Sequence, residues 1–437
     1  MKKMLRLVFA ICALAMLLML VSCDAGAPGS MGGMDFGGSF APEKDSDAAA
    51  PDAAPGEDAE GGETDDDVKP DQVVLPSGMI TAGAWVDNDN YQLWLDLFAQ
   101  GEEVNGKFYH YTEPGSSWGF NSLKRIKVTV KNGDVAVAGA TVIATDEAGK
   151  ALFGAVTDAQ GNAYIFTEEN SGNITVTSGE GKAETQFTAE EREITVELSQ
   201  NAEKLDVIEI MLVLDVTGSM GDEISFLKAE LADVISKIEE SNDDTVIKLA
   251  LLFYRDTDDR VPFSYFDFEN VSETSGMDKQ QSALNSQHAD GGGDYPEAVD
   301  EALEIAVSKQ WSTGATTKII FFVLDAPAHS GTKNIEKFGN AVKTAAEKGI
   351  RICPILCSGA AELTEYTMRE AAIYTGGTFI FVTNDSGIGG SHHDPNLPNI
   401  TVELLNSLMV RLVNGYHSGT FEPPVYWKDD PNLGTAN

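Results

Sequence analysis

The chain has 437 residues, of which 69 are acidic and 30 basic, for a formal net charge of −39. Such a balance argues against binding nucleic acid, and against binding an anionic lipid surface by charge. The length is enough for two or three domains.

Lys2, Lys3 and Arg6 precede an apolar run from Leu7 to Leu20, and Leu20-Val21-Ser22-Cys23 follows. The run is shorter than the roughly 20 apolar residues of a spanning helix. The pattern resembles a bacterial lipoprotein signal, with an ordinary secretory signal or a membrane anchor as the alternative. The resemblance implies that residues 1–22 are removed and that Cys23 is lipidated. The protein would then be exported and anchored by lipid to the bacterial cell membrane or outer membrane, its folded part outside the cytoplasm. Asp24, directly after Cys23, resembles an inner-membrane retention signal of some enterobacteria.

Residues 23–76 are rich in Gly, Ala, Pro, Asp and Glu and nearly free of aromatics. Such a segment buries too little surface to offset its ordering entropy, so a disordered acidic tether is expected. Residues 77–122 carry a dense aromatic set, including Trp85, Tyr91, Trp94, Phe98, Phe108, Tyr109 and Trp118. They form an expected packing segment against a neighbouring domain, with helical spacing from Tyr91 to Ala99.

From residue 123 to 200 the apolar period is two, as in Ile126-Lys127-Val128-Thr129-Val130. Short strands with turn signals between them predict a small β-sandwich. Val137-Ala138-Gly139-Ala140-Thr141-Val142 and Thr157-Asp158-x-x-Gly161 resemble elements of carboxypeptidase-regulatory-like, Ig-like modules. The resemblance implies a spacer or binding module.

From residue 205 to 416 strands and helices alternate, which predicts an α/β fold with a doubly wound, mostly parallel sheet. Strands are expected at Val207–Asp215, Val246–Tyr254, Lys318–Asp325, Gly349–Cys357 and Thr378–Val382, with an edge hairpin at Val261–Phe266. Helices are expected at Asp222–Glu240, Tyr295–Ser308, Asn334–Lys348, Glu362–Tyr374 and Ile400–Val413. Residues 417–437 form a C-terminal arm. Cys353 and Cys357 stand four apart on one expected strand, roughly 13 Å from each other, beyond the reach of a disulfide. Both are read as buried apolar fillers.

The first strand ends in Asp215-Val216-Thr217-Gly218-Ser219-Met220. Parallel sheets bind ligands outside the carboxyl ends of their strands, and Asp215, Thr217 and Ser219 all offer oxygen there. Oxygen donors suit hard divalent cations. The alternative is a strand and a helix whose N-terminus Ser219 or Asp222 merely caps. A second carboxylate, Asp325, stands at the end of the strand from Lys318. Two close carboxylates repel without a shared cation. A glycine loop, Gly291-Gly292-Gly293-Asp294-Tyr295-Pro296-Glu297, precedes a helix.

Asp-x-Thr-Gly-Ser resembles the MIDAS metal motif of von Willebrand factor type A domains. The resemblance implies the doubly wound type A fold and a Mg²⁺, Mn²⁺ or Ca²⁺ ion. Thr217 and Ser219 would coordinate it directly, and Asp215 and Asp325 through water. The family's third loop carries a threonine that is absent here. Asp294 is the candidate for its place, and alignment without a gap puts Tyr295 there. An open metal position would accept a carboxylate from a protein partner. Arg255, Asp256, Tyr295, His329, His392 and His393 are candidate rim residues, with a charged turn as the alternative for Arg255 and Asp256.

These features predict an envelope-anchored adhesion or protein-binding module that is not an enzyme and that touches the membrane only through its lipid. One alternative is a scaffold subunit of an envelope complex using the same domain. Another is a metal-assisted hydrolase with His329 as base. No Ser/His/Asp or Cys/His set stands out, and the glycine loop lacks the lysine of a phosphate loop.

Overall fold

The computed structural model describes residues 80–101, 104–200, 202–293, 295–386, 391–431 and 433. The leader, Cys23, the acidic segment 23–76 and Asp294 lie outside the described residues.

The described chain enters through β1 (Thr81–Trp85) and α1 (Tyr91–Asp96). Eight short strands follow: β2 (Arg125–Asn132), β3 (Val135–Ala136), β4 (Thr141–Thr145), β5 (Ala151–Val156), β6 (Asn162–Phe166), β7 (Gly172–Ser178), β8 (Gly181–Phe187) and β9 (Glu193–Glu197). Strands and helices then alternate. The first group is β10 (Lys204–Asp215), α2 (Gly221–Ser241), β11 (Val246–Tyr254), β12 (Phe263–Asn270), α3 (Thr274–Asn285) and α4 (Val299–Ser308). The second is β13 (Ala315–Leu324), α5 (Thr332–Lys348), β14 (Ile350–Leu356), α6 (Glu362–Thr375), β15 (Phe379–Val382), β16 (Glu403–Leu404) and α7 (Leu405–Ser418).

The large sheet runs β12-β11-β10-β13-β14-β15-β1-β16. Its centre, from β11 through β15, is parallel, and β12 is antiparallel to β11. Both faces are covered. Ile208, Ile210, Leu212 and Leu214 face a cluster with Ile224, Leu227 and Leu231 of α2 and Leu408 and Leu412 of α7. Met211 and Val213 face the opposite cluster, with Val299 of α4, Phe338 of α5 and Tyr366 of α6. Each such side chain contributes about 2 kcal/mol by burial. Strand order reverses between β10 and β13, since the chain leaves β10 for β11 on one side and returns to β13 on the other. Open α/β sheets bind ligands at such a switch point.

The large sheet takes in more chain than residues 205–416. β1 pairs antiparallel with β15 through Ala82–Trp85 and with β16 through Thr81 and Ala82. The strands β2 to β9 therefore lie in the chain between two members of one sheet. They form two four-stranded sheets, with β3-β2-β6 and β9 beside β2 in one and β5-β4-β7-β8 in the other. Val128, Val130, Val142, Ala144, Ile174 and Val176 fill the space between them. This unit packs on α5 and α6. Tyr374 stacks on Phe166 at 4.5 Å, and Gly349, the left-handed end of α5, lies where a Cβ would meet Val156 at 2.9 Å.

The stretch from Asp87 to Ser122 is fastened to α6 by polar groups. Arg369, 1% exposed at its side chain, donates from Nη2 to Asp87 Oδ1 at 2.5 Å, from Nε to Asp87 Oδ2 at 3.0 Å, and from Nη1 to Glu365 Oε1 at 3.0 Å. Trp94 Nε1 donates to Ser122 Oγ, which donates to Glu370 Oε1. Tyr111 stacks on Tyr366 at 4.1 Å.

Beside β1, four elements differ from the sequence expectation. The edge strand β12 runs Phe263–Asn270 rather than Val261–Phe266. Helix α3 is additional. Its inward positions include Gln280, fully buried, whose Nε2 donates to the carbonyls of Leu249 and Asp267, so its apolar stripe is interrupted. Helix α4 begins at Val299 rather than Tyr295, and α7 begins at Leu405 rather than Ile400. Cys353 and Cys357 are free and buried. Among the described residues no helix is long and apolar enough to cross a membrane.

Candidate functional site

An open cleft of about 580 Å³ lies beyond the carboxyl ends of β10 and β13. Thr217, Ser219, the three glycines 291–293, Tyr295, Glu297, Asp325, Ser358 and Ser391 line it.

Asp215 ends β10, fully buried and in register with Tyr254. Its Oδ1 accepts hydrogen bonds from the Thr217 amide at 2.9 Å and the Thr217 hydroxyl at 2.7 Å. Its Oδ2 is buried with no hydrogen-bond partner. Burial, with the charge of Asp325 adding to it, pushes the carboxyl up to about 7 against the hydrogen bonds from Thr217. The Thr217 and Ser219 hydroxyl oxygens stand 3.5 Å apart. Five residues separate the end of β10 from the start of α2 at Gly221, and the last three of them form the turn Gly218–Met220 that carries Ser219.

Asp325 follows β13 directly and is 5% exposed. Burial raises its carboxyl, the Ser219 hydroxyl opposes the shift, and the charge of Glu223 adds to it. Glu223, in the first turn of α2, accepts a 2.7 Å hydrogen bond from the Ser358 hydroxyl on Oε1, while its Oε2 is buried without a partner.

The third wall is the loop from Gly291 to Glu297. Gly291 and Gly292 both have positive φ, +79° and +84°, which glycine alone adopts freely. The turn after β11 holds this loop. Arg255 donates from Nε to the Asp290 carbonyl at 2.7 Å and from Nη2 to the His288 carbonyl. Asp259 Oδ2 accepts from the Gly292 amide at 3.0 Å. Arg255 thus positions backbone, and the Asp256–Asp259 turn is a brace for the glycine loop.

Glu297 closes the loop. Its amide donates to the Pro327 carbonyl at 3.0 Å, and it bridges in parallel with Ala328. It is 4% exposed, and Oε2 has no partner. Burial raises its carboxyl to about 9, followed by the charges of Asp215, Asp256, Asp325 and Asp259. Sequence reasoning placed Glu297 inside a helix starting at Tyr295 and missed it. The available signal was Pro296, which restricts the backbone of the residue before it away from the helical region.

The remaining candidates are dispersed. Tyr295 stands over the cleft, half exposed, and its hydroxyl donates to the Asp325 carbonyl at 3.2 Å. His329 pairs with Asp256 at 2.8 Å, and neither lines the cleft. His392 bridges Ser358 at the cleft edge, its Nδ1 2.9 Å from Asn384 Oδ1, and burial lowers its pKa. His393 turns the other way, to Glu365 at 2.6 Å in the Arg369 network. Adjacent in sequence, the two histidines have separate partners. Among the described residues lining the cleft there is no histidine, lysine or cysteine.

Chemically the cleft is an all-oxygen donor set, hydroxyls at its floor and buried carboxylates behind them. Among the described residues no three carboxylate, imidazole or thiol groups converge closely enough to hold an ion by themselves. Any cation would depend on the hydroxyls of Thr217 and Ser219.

Residues 209–384 match the von Willebrand factor A domain family, so the chain carries such a domain. The von Willebrand factor A domain-containing protein 7 of Mus musculus is 36% identical over 98 residues, 22% of this chain and 10% of that protein. The putative ariadne-like RING finger protein R811 of Acanthamoeba polyphaga mimivirus is 23% identical over 223 residues, 46% of this chain and 20% of that protein. The chain thus spans a tenth to a fifth of the length of these relatives. Among solved structures, the conserved hypothetical protein BatB from Bacteroides thetaiotaomicron is 18% identical. That match covers 39% of this chain and 87% of that one, with a TM-score of 0.27. A likeness at that level adds nothing to the fold described above.

Proposed function

We propose that this von Willebrand factor A domain takes a divalent cation, Mg²⁺, Mn²⁺ or Ca²⁺, in the cleft beyond β10 and β13, and through it engages an acidic group on a protein partner. The observation that carries the reading is the Asp215 carboxylate. One of its oxygens is fixed by Thr217 and the other is buried without a partner, beside two hydroxyls on an open cleft. An orphaned buried carboxylate oxygen is costly, and a cation or its water shell would satisfy it.

The donor set fits a hard cation. Thr217 and Ser219 would hold it by their hydroxyls, and Asp215 and Asp325 would stand behind them through water. Asp294 is assigned to the third loop on the sequence alone. When bound, the cation supplies an electrophilic position for a carboxylate that the cleft alone would repel. The chain does the rest. Thr217 orients Asp215, the Asp256–Asp259 turn braces the glycine loop, and Tyr295 overhangs Asp325.

We read the domain as a binding module on its match to the von Willebrand factor A domain family over residues 209–384. Cys23 and the preceding leader complete the proposal of a lipoprotein held outside the cytoplasm. Calorimetric titration of the full chain with Mg²⁺, Mn²⁺ and Ca²⁺ tests the central claim. Binding is expected in the unmodified chain and is lost in Asp215→Ala. An unmodified chain that gives no heat of binding with any of the three ions overturns it.

A further inference from the structure

We infer that the cavity between the sandwich and the amino edge of the large sheet is a second binding site, which takes a phosphate-bearing ligand on Lys309, Lys318 and Lys348. It lies at the end of β13 opposite to Asp325 and is independent of the cation reading above.

The cavity measures about 270 Å³. Thr141 and Val156 of the sandwich face Lys309, Trp311, Lys318 and Lys348 across it. The chain has 69 acidic and only 30 basic residues, so three lysines gathered on one cavity run against its composition. Among the described residues none of the three forms an ion pair with a carboxylate. Lys348 donates to the Val307 carbonyl at 2.7 Å, near the end of α4, and the Lys309 ammonium lies 4.1 Å from the centre of the Tyr265 ring. Glu347, the acid in the lining, packs towards the sandwich, where a Cβ on Gly154 would lie 3.1 Å from its Cγ.

Lys318 carries the inference. It is 6% exposed, and its Nζ donates to the Lys348 carbonyl at 3.0 Å. Its neighbour in register on β10 is Glu209, but both oxygens of Glu209 are engaged by Lys248 and Ser312. Burial lowers the Lys318 pKa, the charge of Glu209 opposes the shift, and Arg351 and Lys348 add to it. One carbonyl satisfies one of three ammonium donors. A buried ammonium without a paired counter-charge is costly, and an anion in the cavity supplies one. Capping of helix ends accounts for where Lys318 and Lys348 rest. It does not account for a buried lysine with no paired acid beside open space.

A tetrahedral oxyanion offers several acceptors at once, which matches ammonium groups arriving from three separate elements. The Trp311 ring and Val156 flank room for a small organic body beside it.

The test is calorimetric titration of the full chain, with chelator present, with inorganic phosphate and with glycerol 3-phosphate. Co-sedimentation with phosphatidylcholine vesicles carrying phosphatidylglycerol runs beside it. The unmodified chain is expected to bind one phosphate group. Lys318→Met should lower that affinity about tenfold or more, as loss of a charged hydrogen bond does. Lys309→Gln, at a half-buried position, should weaken binding in a protein that melts as the unmodified chain does. Asp215→Ala should bind phosphate fully, which separates this site from the cation cleft. Glycerol 3-phosphate bound without vesicle binding identifies a soluble ligand, and vesicle binding lost in Lys318→Met identifies a lipid headgroup. If the unmodified chain binds neither phosphate nor vesicles, the inference fails. It fails equally if Lys318→Met and Lys309→Gln bind as the unmodified chain does.

Discussion

The Thr217 hydroxyl donates to Asp215 Oδ1 at 2.7 Å, while Oδ2 of the same buried carboxylate makes no hydrogen bond and has the Tyr254 hydroxyl, also unpartnered, as its neighbouring donor. The pair therefore fixes a charge in place without neutralising it. Asp215→Asn removes the charge and keeps the shape. At pH 8 the cation-free variant should be more stable than the unmodified chain, because an amide carries no charge to be desolvated at this buried position. It should show no further stabilisation by divalent cations. Thermal melts with and without 5 mM Ca²⁺ (about a hundredfold over protein) check both halves, since ligand binding to the native state alone raises the midpoint. A variant that melts lower without cation would mean that the ionised carboxylate is already satisfied.

Burial raises Asp215 to about 7 and Glu297 to about 9 in the folded chain. Unfolded carboxyls titrate near 4. Between those values the native state holds protons that the unfolded state has released, so stability falls as pH rises. The cation-free protein should therefore be most stable near pH 5. It should lose stability through pH 7 as Asp215 ionises, and further towards pH 9 as Glu297 does. Cation affinity should move the opposite way, rising with pH because binding must displace those protons. Melts at pH 5, 7 and 9 with chelator or with Ca²⁺ should converge at low pH and diverge at high pH.

The centre of this fold is legible because its pattern is unambiguous. Ile210 to Leu214 is a continuous apolar run closed by Asp215, the composition of a strand buried on both faces. Asp325 is legible for the same reason at the end of β13. What escapes is what local pattern does not encode. Thr81–Trp85 is a short strand whose partners, β15 and β16, lie some 300 residues away in the chain. Nothing in its own five residues distinguishes it from a packing segment. Gln280 interrupts the inward stripe of α3 because it satisfies two carbonyls. Glu297 looks helical after Pro296, but its amide is drawn to Pro327, a tertiary bond that overrides the local signal. The His392–His393 pair shows the reverse. Neighbours in sequence, they serve Asn384 and Glu365 on different sides.

The link between residues 87–122 and α6 depends on Arg369. Its guanidinium meets Asp87 through two nitrogens and Glu365 through a third, all with side chains no more than 1% exposed. Removing one member of a buried pair leaves an uncompensated charge and costs about 3–5 kcal/mol. Asp87→Ala should therefore lower unfolding free energy by that amount, measured by urea denaturation. Lys107→Ala, which leaves Arg369 on Glu365, should cost under about 1 kcal/mol, since its partly exposed ammonium is screened by solvent. Equal losses in the two variants would show that the network acts through packing rather than through the buried charge.

Gly292 separates two claims about the cleft. It sits at φ +84°, and a Cβ there would meet Glu297 Oε1 at 2.9 Å and Thr217 Cβ at 3.2 Å. Gly292→Ala therefore carries a backbone strain of about 1–2 kcal/mol and also pushes the Glu297 carboxylate away from Thr217. Strain alone would lower stability equally with and without cation. Displacement of a ligand would lower cation affinity as well, so the Ca²⁺-induced rise in melting temperature should shrink in Gly292→Ala. Gly293→Ala is the control, because no atom lies within 4 Å of its Cβ position and its φ is not in the left-handed range. It should leave both the melt and the Ca²⁺ response unchanged. A Gly292→Ala protein that melts lower yet keeps the full Ca²⁺ shift would mean that Glu297 can move aside without loss, and that the cation is held by Thr217, Ser219 and the two strand-end aspartates alone.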